Sequence, residues 1–290
     1  MSWLWAGIGL AGLLLLAGLV YWQLMVAEGA YLGPQVVAWT YDLVARRYDA
    51  IKQFDHGEEK RYLAEPLLRK LAGIENPLVL DVATGTGRLP LSLLHTQFRG
   101  QIVGLDLSLK MLRLAQRKLL PYGDRVGLIW QGAEHLPFGD GLFDAVTCLE
   151  ALEFFPHPAE SLTEMVRVLA PGGVLFITNR VGREALFLPR HAIRRADLER
   201  ILAALGLHEV EVRRWQVSYD LVMARKEGRW MAGRGRQVDW KTFLRCPVCG
   251  GTLQALASGL SCSACARPYP VHDGIVRMAS HDQGRTGLMP

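Results

Sequence analysis

The stretch Leu78–Pro90, LVLDVATGTGRLP, decides how this 290-residue chain is read. Its aliphatic run predicts a buried strand over 78–82. A carboxylate, Asp81, stands near the strand's end, and small residues follow at alternate positions, Ala83, Gly85 and Gly87. A helical segment is expected at about 89–95. A strand that stops in a glycine-bearing turn lets a ligand lie directly on backbone. In an open α/β sheet that turn, at the carboxyl end of a strand, is where ligands bind.

The spacing of the small residues narrows the ligand. A dinucleotide fingerprint needs its third glycine three positions after the second, and the position three after Gly85 is Arg88. A phosphate loop needs Lys and Ser/Thr after the glycines, and they are absent. Asp106 ends the next expected strand (101–105, QIVGL), about twenty residues on, where a carboxylate can accept from both hydroxyls of a ribose. Asp81, an acid at the end of a buried strand, needs a partner. A ligand ammonium group or a water would serve.

Outward from this stretch, strands and helices alternate. Helices are expected at about 36–51 and 65–71, then at 108–120 with Ser108 as N-cap, 158–169 and 196–205. Strands are expected at 126–130, 143–148 and 174–178, with a closing pair at 208–215 and 218–224 near enough to run antiparallel. This pattern predicts an α/β fold: a mostly parallel sheet covered on both faces, spanning about 36–226.

LDVATGTG (80–87), GLDLSLKML (104–112), GAEHLPF (132–138), FDAVTCLEAL (143–152) and LAPGGVLFIT (169–178) occur in the order of the motifs of class I S-adenosylmethionine-dependent methyltransferases. The chain resembles that family over roughly 41–224, and within it the ubiquinone/menaquinone branch. The resemblance implies a Rossmann-like seven-stranded sheet with an antiparallel last strand, and S-adenosylmethionine as cofactor. It implies that Asp81, Ala83, Thr84, Gly85 and Gly87 cradle the methionine part. Asp106 would take the ribose, Leu107 would flank the adenine, and Ala133 and Glu134 would meet its edge. Cys148, with Leu149, would face the methionine end. Two departures stand out: Ala83 replaces a common glycine, and Gly132 replaces an Asp found in many relatives. Glu150, Glu153, His157, Tyr41 and Tyr48 are the groups near enough in sequence to act as a base, and none is singled out. The helix bearing the two tyrosines would form a lid.

The amino terminus carries no charge from Ser2 to Ala27. A helix of that length exceeds the ~30 Å hydrocarbon core of a bilayer. Trp3 and Trp5 at one end, and Tyr21 and Trp22 at the other, suit the two interfaces. Residues 1–27 are therefore read as a single-pass anchor in the cell membrane, with membrane contact through 3–27. Arg46, Arg47 and Lys52 after the span put the body in the cytoplasm by the positive-inside rule.

Four of the five cysteines form CPVC (246–249) and CSAC (262–265), twelve residues apart. Two such knuckles can present Cys246, Cys249, Cys262 and Cys265 tetrahedrally to a structural Zn²⁺. FLRCPVCGGTLQ and LSCSACARPYPVHDGIVRM resemble the Trm112-like zinc ribbons, over about 243–278. The domains expected are thus the anchor (1–27), the methyltransferase unit (28–226), a basic linker (227–242), the ribbon (243–278) and a tail (279–290). The net charge of +5 is concentrated between Arg225 and Arg245. That segment, with Trp230 and Trp240, could touch anionic lipid or RNA phosphates, or be a flexible solvated tether.

The function expected is a membrane-anchored methyltransferase acting on a lipid or quinone-like acceptor. Two alternatives stand: an RNA or protein methyltransferase with the ribbon as reader, nucleic acid being the less favoured partner, and a non-catalytic cofactor-binding scaffold. The acceptor, the methylated atom and the oligomeric state are not written in the sequence.

Overall fold

A computed structural model describes residues 2–229, 239–256 and 258–278. The expected tail and the linker residues 230–238, Trp230 among them, lie outside the described residues. Helix α1 (Ser2–Tyr21) continues as a wide turn, Trp22–Val26. The apolar span Trp3–Val26 is long enough to cross a membrane, and none of its most apolar stretch is buried against the rest of the chain. The chain breaks away at Glu28 and Gly29, both left-handed (φ 48° and 84°).

Helices α2 (Pro34–Val44) and α3 (Tyr48–Lys52) follow, joined by the turn Ala45–Arg47. Asp55 caps α4 (His56–Glu59), accepting from the amides of Gly57 and Glu58. A wide turn, Lys60–Ala64, leads into α5 (Glu65–Lys70). The expected helix at 65–71 is therefore the last part of a longer run. Pro66 lacks an N–H, and the widened turn just before it accommodates the missing helical bond.

Strand β1 (Leu78–Val82) lies between β2 (Gln101–Asp106) and β4 (Phe143–Cys148), parallel to both. β3 (Val126–Trp130) pairs with β2, and β5 (Leu169–Arg180) with β4. β7 (Tyr219–Lys226) runs antiparallel between β5 and β6 (Leu207–Trp215). The expected strand 174–178 begins earlier. Leu169 opposes Phe143 while Val174 opposes Ala145, so Pro171-Gly172-Gly173 is carried as a bulge within one strand.

Alternate residues of the central strands feed two cores. Val79 and Ile102 pack under α5, α6 (Arg88–Leu94) and α7 (Leu109–Leu119). Leu80 and Val103 pack under α8 (Pro158–Val168) and α9 (Arg195–Ala204).

The seven strands are not the end of the sheet. After β8 (Leu253–Leu256), β9 (Gly259–Cys262) and β10 (Pro268–His272), the short β11 (Ile275–Arg277) adds in parallel to β3, with Val276 opposite Ile129. The order β6-β7-β5-β4-β1-β2-β3-β11-β10-β9-β8 is continuous. The ribbon covers what would be an open edge. Trp240 belongs to this joint. It is 6% exposed, and a Cβ at Gly127 on β3 would fall 2.2 Å from its ring. The expectation that Trp240 touches lipid or RNA is thereby corrected: the glycine in β3 makes a slot that the indole fills.

Candidate functional site

A cleft opens at the carboxyl ends of β1, β2, β3 and β4, the place where open α/β sheets bind ligands. Ala83, Gly85, Asp106, Leu107, Ala133 and Glu134 line it, together with Gln131 and Leu149. Asp81 and Thr84 line a smaller neighbouring cavity with Arg88 and Glu150. Gly87 and Cys148 line neither. Gly87 (φ +79°) faces Ala115 and Leu119, allowing the close approach of α7, and Cys148 is fully buried in the core beneath.

The turn after β1 is held by two acids. Asp81 accepts from the Thr84 hydroxyl at 2.6 Å and, on its other oxygen, from the Thr147 hydroxyl at 2.6 Å. Two of its partners are therefore residues of this chain, which the sequence did not suggest. Asp106 accepts from the Gly85 amide at 2.8 Å and from the Ser108 amide at 2.7 Å. Burial pushes both carboxyls up to about 6, against hydrogen bonds that pull them down. Ala83 holds φ +56° in this turn, a left-handed conformation that strains a residue with a Cβ.

At the far end of the cleft, Gln131 extends β3 by one residue, its amide donating to the Asp106 carbonyl. Its side chain is buried, its amide nitrogen reaches the His135 carbonyl at 3.4 Å, and its Oε1 has no partner among the described residues. Gly132 leaves room for a neighbour: a Cβ there would lie 2.3 Å from Glu134 Oε2. The Glu134 carboxylate thus occupies the space where relatives with Asp at this position begin their side chain. Sequence reading missed Gln131, although a polar residue directly after a buried strand is a signal that could have found it.

The remaining wall is apolar and aromatic: Val37, Ala38, Tyr41 and Tyr48 from α2 and α3, and Ala151, Phe154 and Phe155 after β4. The lid expected from the sequence therefore does border the cleft. It is fastened by charges. Asp42 accepts from Ser108 Oγ at 2.5 Å, Asp49 from Thr86 Oγ1 at 2.6 Å, and Lys52 meets Glu150 at 2.8 Å. Arg88, where a dinucleotide fingerprint would have glycine, binds Glu59 and Glu150 and stacks 4.3 Å from the Phe54 ring centroid.

These bonds decide what the candidate bases can do. Burial raises Glu150, but Arg88 and Lys52 outweigh it and hold the carboxyl below its ordinary value. Glu153 is buried away from the cleft, accepting from Tyr219 at 2.5 Å and Arg180 at 3.3 Å. Burial raises Tyr41 and Tyr48 well above the usual phenol range, aided by Glu28 beside Tyr41 and Glu150 beside Tyr48, so both stay protonated. His157 is exposed before α8.

The four knuckle thiols lie within 4.8 Å of one another. Cys246 Sγ is 3.7 Å from Cys265 Sγ, and Cys249 Sγ is 3.4 Å from Cys262 Sγ. Four thiolates at ~2.3 Å around a tetrahedral Zn²⁺ stand about 3.8 Å apart, so the donor set fits that ion. Each knuckle closes on a left-handed residue, Gly250 (φ 71°) and Ala266 (φ 57°).

Residues 80–177 match the family described as a methyltransferase domain, and residues 242–274 match the Trm112p-like proteins. The demethylmenaquinone methyltransferase of Lactiplantibacillus plantarum is 37% identical over 138 residues, 47% of this chain and 58% of that protein. The ubiquinone/menaquinone biosynthesis C-methyltransferase of Syntrophotalea carbinolica is 36% identical over 138 residues, again 58% of its length. The chain thus spans just over half the length of these curated relatives. Among solved structures, the cyclase SpnF superposes with a TM-score of 0.58 at 19% identity, over 68% of this chain and 97% of that one. That likeness shows the fold alone.

Proposed function

We propose that this chain, which carries a methyltransferase domain fused to a Trm112-like one, transfers a methyl group from S-adenosylmethionine to a quinone-like or other lipid acceptor at a membrane. The observation that carries the reading is the two-part cleft. Its polar floor gathers Gly85, Asp106, Gln131 and Glu134, and its opposite wall is apolar and includes α2, the helix that follows the apolar span in the chain. The demethylmenaquinone and ubiquinone/menaquinone relatives support the same acceptor class.

In this reading Asp106 accepts from the ribose, Leu107 and Ala133 flank the adenine, and Gln131 and Glu134 receive its edge. Ala83, Gly85 and Leu149 border the methionine end. Asp81 and Thr84 act from behind, by holding the turn. Gly87 serves the cradle through the approach of α7, and Cys148 through packing. S-adenosylmethionine, when bound, supplies a methyl group on a cationic sulfur that leaves as a neutral thioether. The chain's part is orientation and the exclusion of water. Glu150 is neutralised by Arg88 and Lys52 and the tyrosines stay protonated, so the cleft's walls favour an acceptor acidic enough to provide its own nucleophile, as a quinol is.

We assign residues 28–226 to the catalytic unit and the four cysteines to a structural Zn²⁺. The ribbon unit begins at Asp239, since the Trp240 anchor belongs to it, and not at 243. The span is an anchor, with the catalytic unit on the cytoplasmic side by the charges after it. Burial of Trp240 takes away one of the two tryptophans that an RNA-reading ribbon would use. The test is to label quinone and lipid extracts with methyl-labelled cofactor and the purified chain. Label in the quinone or lipid fraction supports the reading. Label only in protease- or RNase-sensitive material overturns the acceptor, and cofactor binding with no transfer to any fraction overturns the activity.

A further inference from the structure

The wall of the cleft has a second side. Val37, Ala38 and Tyr41 of α2 face inward. On the outer face Trp39 and Leu43 are 54% and 61% exposed, four residues apart and so on one side of the helix, and Leu32, in the turn before α2, is 58% exposed. Arg46 and Arg47 follow, exposed and with no ion pair among the described residues. A second apolar pair, Leu186 and Phe187, is 79% and 56% exposed in the loop after β5. Arg183 and Arg190 flank it, likewise exposed and unpaired among the described residues.

Both patches are fastened to the end of the apolar span. Trp22 donates from Nε1 to the Phe187 carbonyl at 3.0 Å, and Tyr31 from its hydroxyl to the Pro189 carbonyl at 2.8 Å. The Trp22 and Tyr31 rings lie 5.0 Å apart, and Tyr31 meets His191 at 4.5 Å. The span therefore joins the domain at the carboxyl ends of the strands, the end where the cleft opens.

We propose that the outer face of α2, together with Leu186 and Phe187, seats in the headgroup layer of an anionic phospholipid bilayer, making α2 the partition between bilayer and cleft. The proposal rests on the reading of Trp3–Val26 as a membrane span. Continuity with that span, apolar side chains at the level where it emerges, and four unpaired arginines beside them fit a lipid surface. An acceptor dissolved in the bilayer then reaches Phe154 and Phe155 past the edge of α2 without crossing water.

The test uses the full chain in phosphatidylcholine vesicles, with or without phosphatidylglycerol, and lipids carrying a doxyl quencher. Trp39→Cys, Leu43→Cys, Phe187→Cys, Leu14→Cys and Leu120→Cys are each labelled with an environment-sensitive fluorophore. Cys148 is buried, and the knuckle thiols are shielded by Zn²⁺. Leu120 follows α7 at the amino ends of the strands and is the control. The proposal expects quenching at positions 39, 43 and 187 and none at 120. It expects Arg46→Gln and Arg47→Gln to lower the preference for the anionic vesicles by about fivefold each. Quenching at 14 without quenching at 39, 43 and 187 overturns the proposal and leaves the span intact. No quenching at 14 overturns the span and the proposal with it. Burial of label 39 that depends on protein concentration and not on lipid assigns the face to a second copy, and overturns it too.

Discussion

The cleft and the cysteine knuckles are both built from tight turns that hold a residue left-handed, yet they are assembled at different scales. The knuckles draw four ligands from two copies of one five-residue turn. In each, the amide after the second cysteine returns to the first cysteine's carbonyl, Gly250 to Cys246 at 2.8 Å and Ala266 to Cys262 at 3.0 Å. The cleft draws its floor from the ends of four strands and its wall from helices far earlier in the chain. A site made of local turns depends on its ion for stability. A site made of strand ends rests on a core that exists without the ligand, so its residues divide into those that hold the turn and those that meet the ligand.

The largest effect that separates the two sites comes from removing the metal. Structural Zn²⁺ in small domains is worth roughly 10–16 kcal/mol of apparent binding free energy, far more than strands of three to five residues supply. A strong chelator is expected to unfold the ribbon, free β3 from β11, and shift tryptophan emission to the red as Trp240 leaves its slot. The melting temperature of the catalytic unit falls with it. A ribbon that keeps its circular dichroism and tryptophan emission after metal removal would erase the contrast.

Next in size is the division between the two acids of the cleft. Asp106→Ala is expected to weaken S-adenosylmethionine binding by roughly 1.5–3 kcal/mol for each charge-assisted bond lost, read by calorimetry. Asp81→Ala leaves two buried hydroxyls, those of Thr84 and Thr147, without their acceptor. Its main cost is stability, roughly 1–3 kcal/mol per orphaned group, read by denaturant melts. Equal losses of affinity in the two variants would mean that Asp81 also meets the ligand.

Acidity gives a third separation. In the folded chain both carboxyls stand near 6, above their ordinary 3.8. Their folded state holds the proton more tightly than the unfolded one, so these two groups favour folding most below about 4. That contribution is lost as pH rises from about 4 to about 6. Cofactor affinity runs the other way. It falls as pH drops through 6 and Asp106 takes up a proton. Asp81→Asn keeps that affinity profile, whereas Asp106→Asn flattens it.

A smaller effect tests the adenine end. Gln131→Leu fills similar volume but removes the unpartnered Oε1, and is expected to cost about 1 kcal/mol of cofactor affinity. The analogue with an inosine base, which lacks the adenine's exocyclic amine, should bind the two proteins alike. If the variant loses both ligands equally, Gln131 supports the strand and not the base.

The same difference of scale governs how much the sequence discloses. Strands 78–82, 126–130 and 143–148 lie at their expected limits, because each is a short, largely apolar run bounded by turn residues. The knuckles are legible to the residue, since spacing alone is their geometry. The Ser108 cap is legible for the same reason, its hydroxyl accepting from the Met111 amide at 3.1 Å. What stays hidden is whatever depends on distant chain. Thr147, one of the two partners of Asp81, comes from β4, the slot for Trp240 from Gly127, and the pairing of β11 with β3 from segments about 150 residues apart. The length of β5 was hidden by its Pro-Gly-Gly bulge, which reads locally as a turn. Gln131 was hidden because its significance lies in a bond it does not make.

The smallest expected effect bears most directly on the opening contrast, because it makes the same substitution in both sites. Ala83 and Ala266 each hold a left-handed backbone, at φ 56° and 57°. Relief of that strain by glycine is worth about 1–2 kcal/mol, offset by about 0.4–1 kcal/mol of extra unfolded-state entropy. Ala83→Gly should therefore raise the stability of the catalytic unit by about 1 kcal/mol or less in denaturant melts. Ala266→Gly should show its gain as tighter metal retention against a chelator, because folding of the ribbon and binding of the ion are one event. If Ala266→Gly stabilised the ribbon with its metal removed, the knuckles would have a fold of their own, and the two sites would differ in ligand and not in kind.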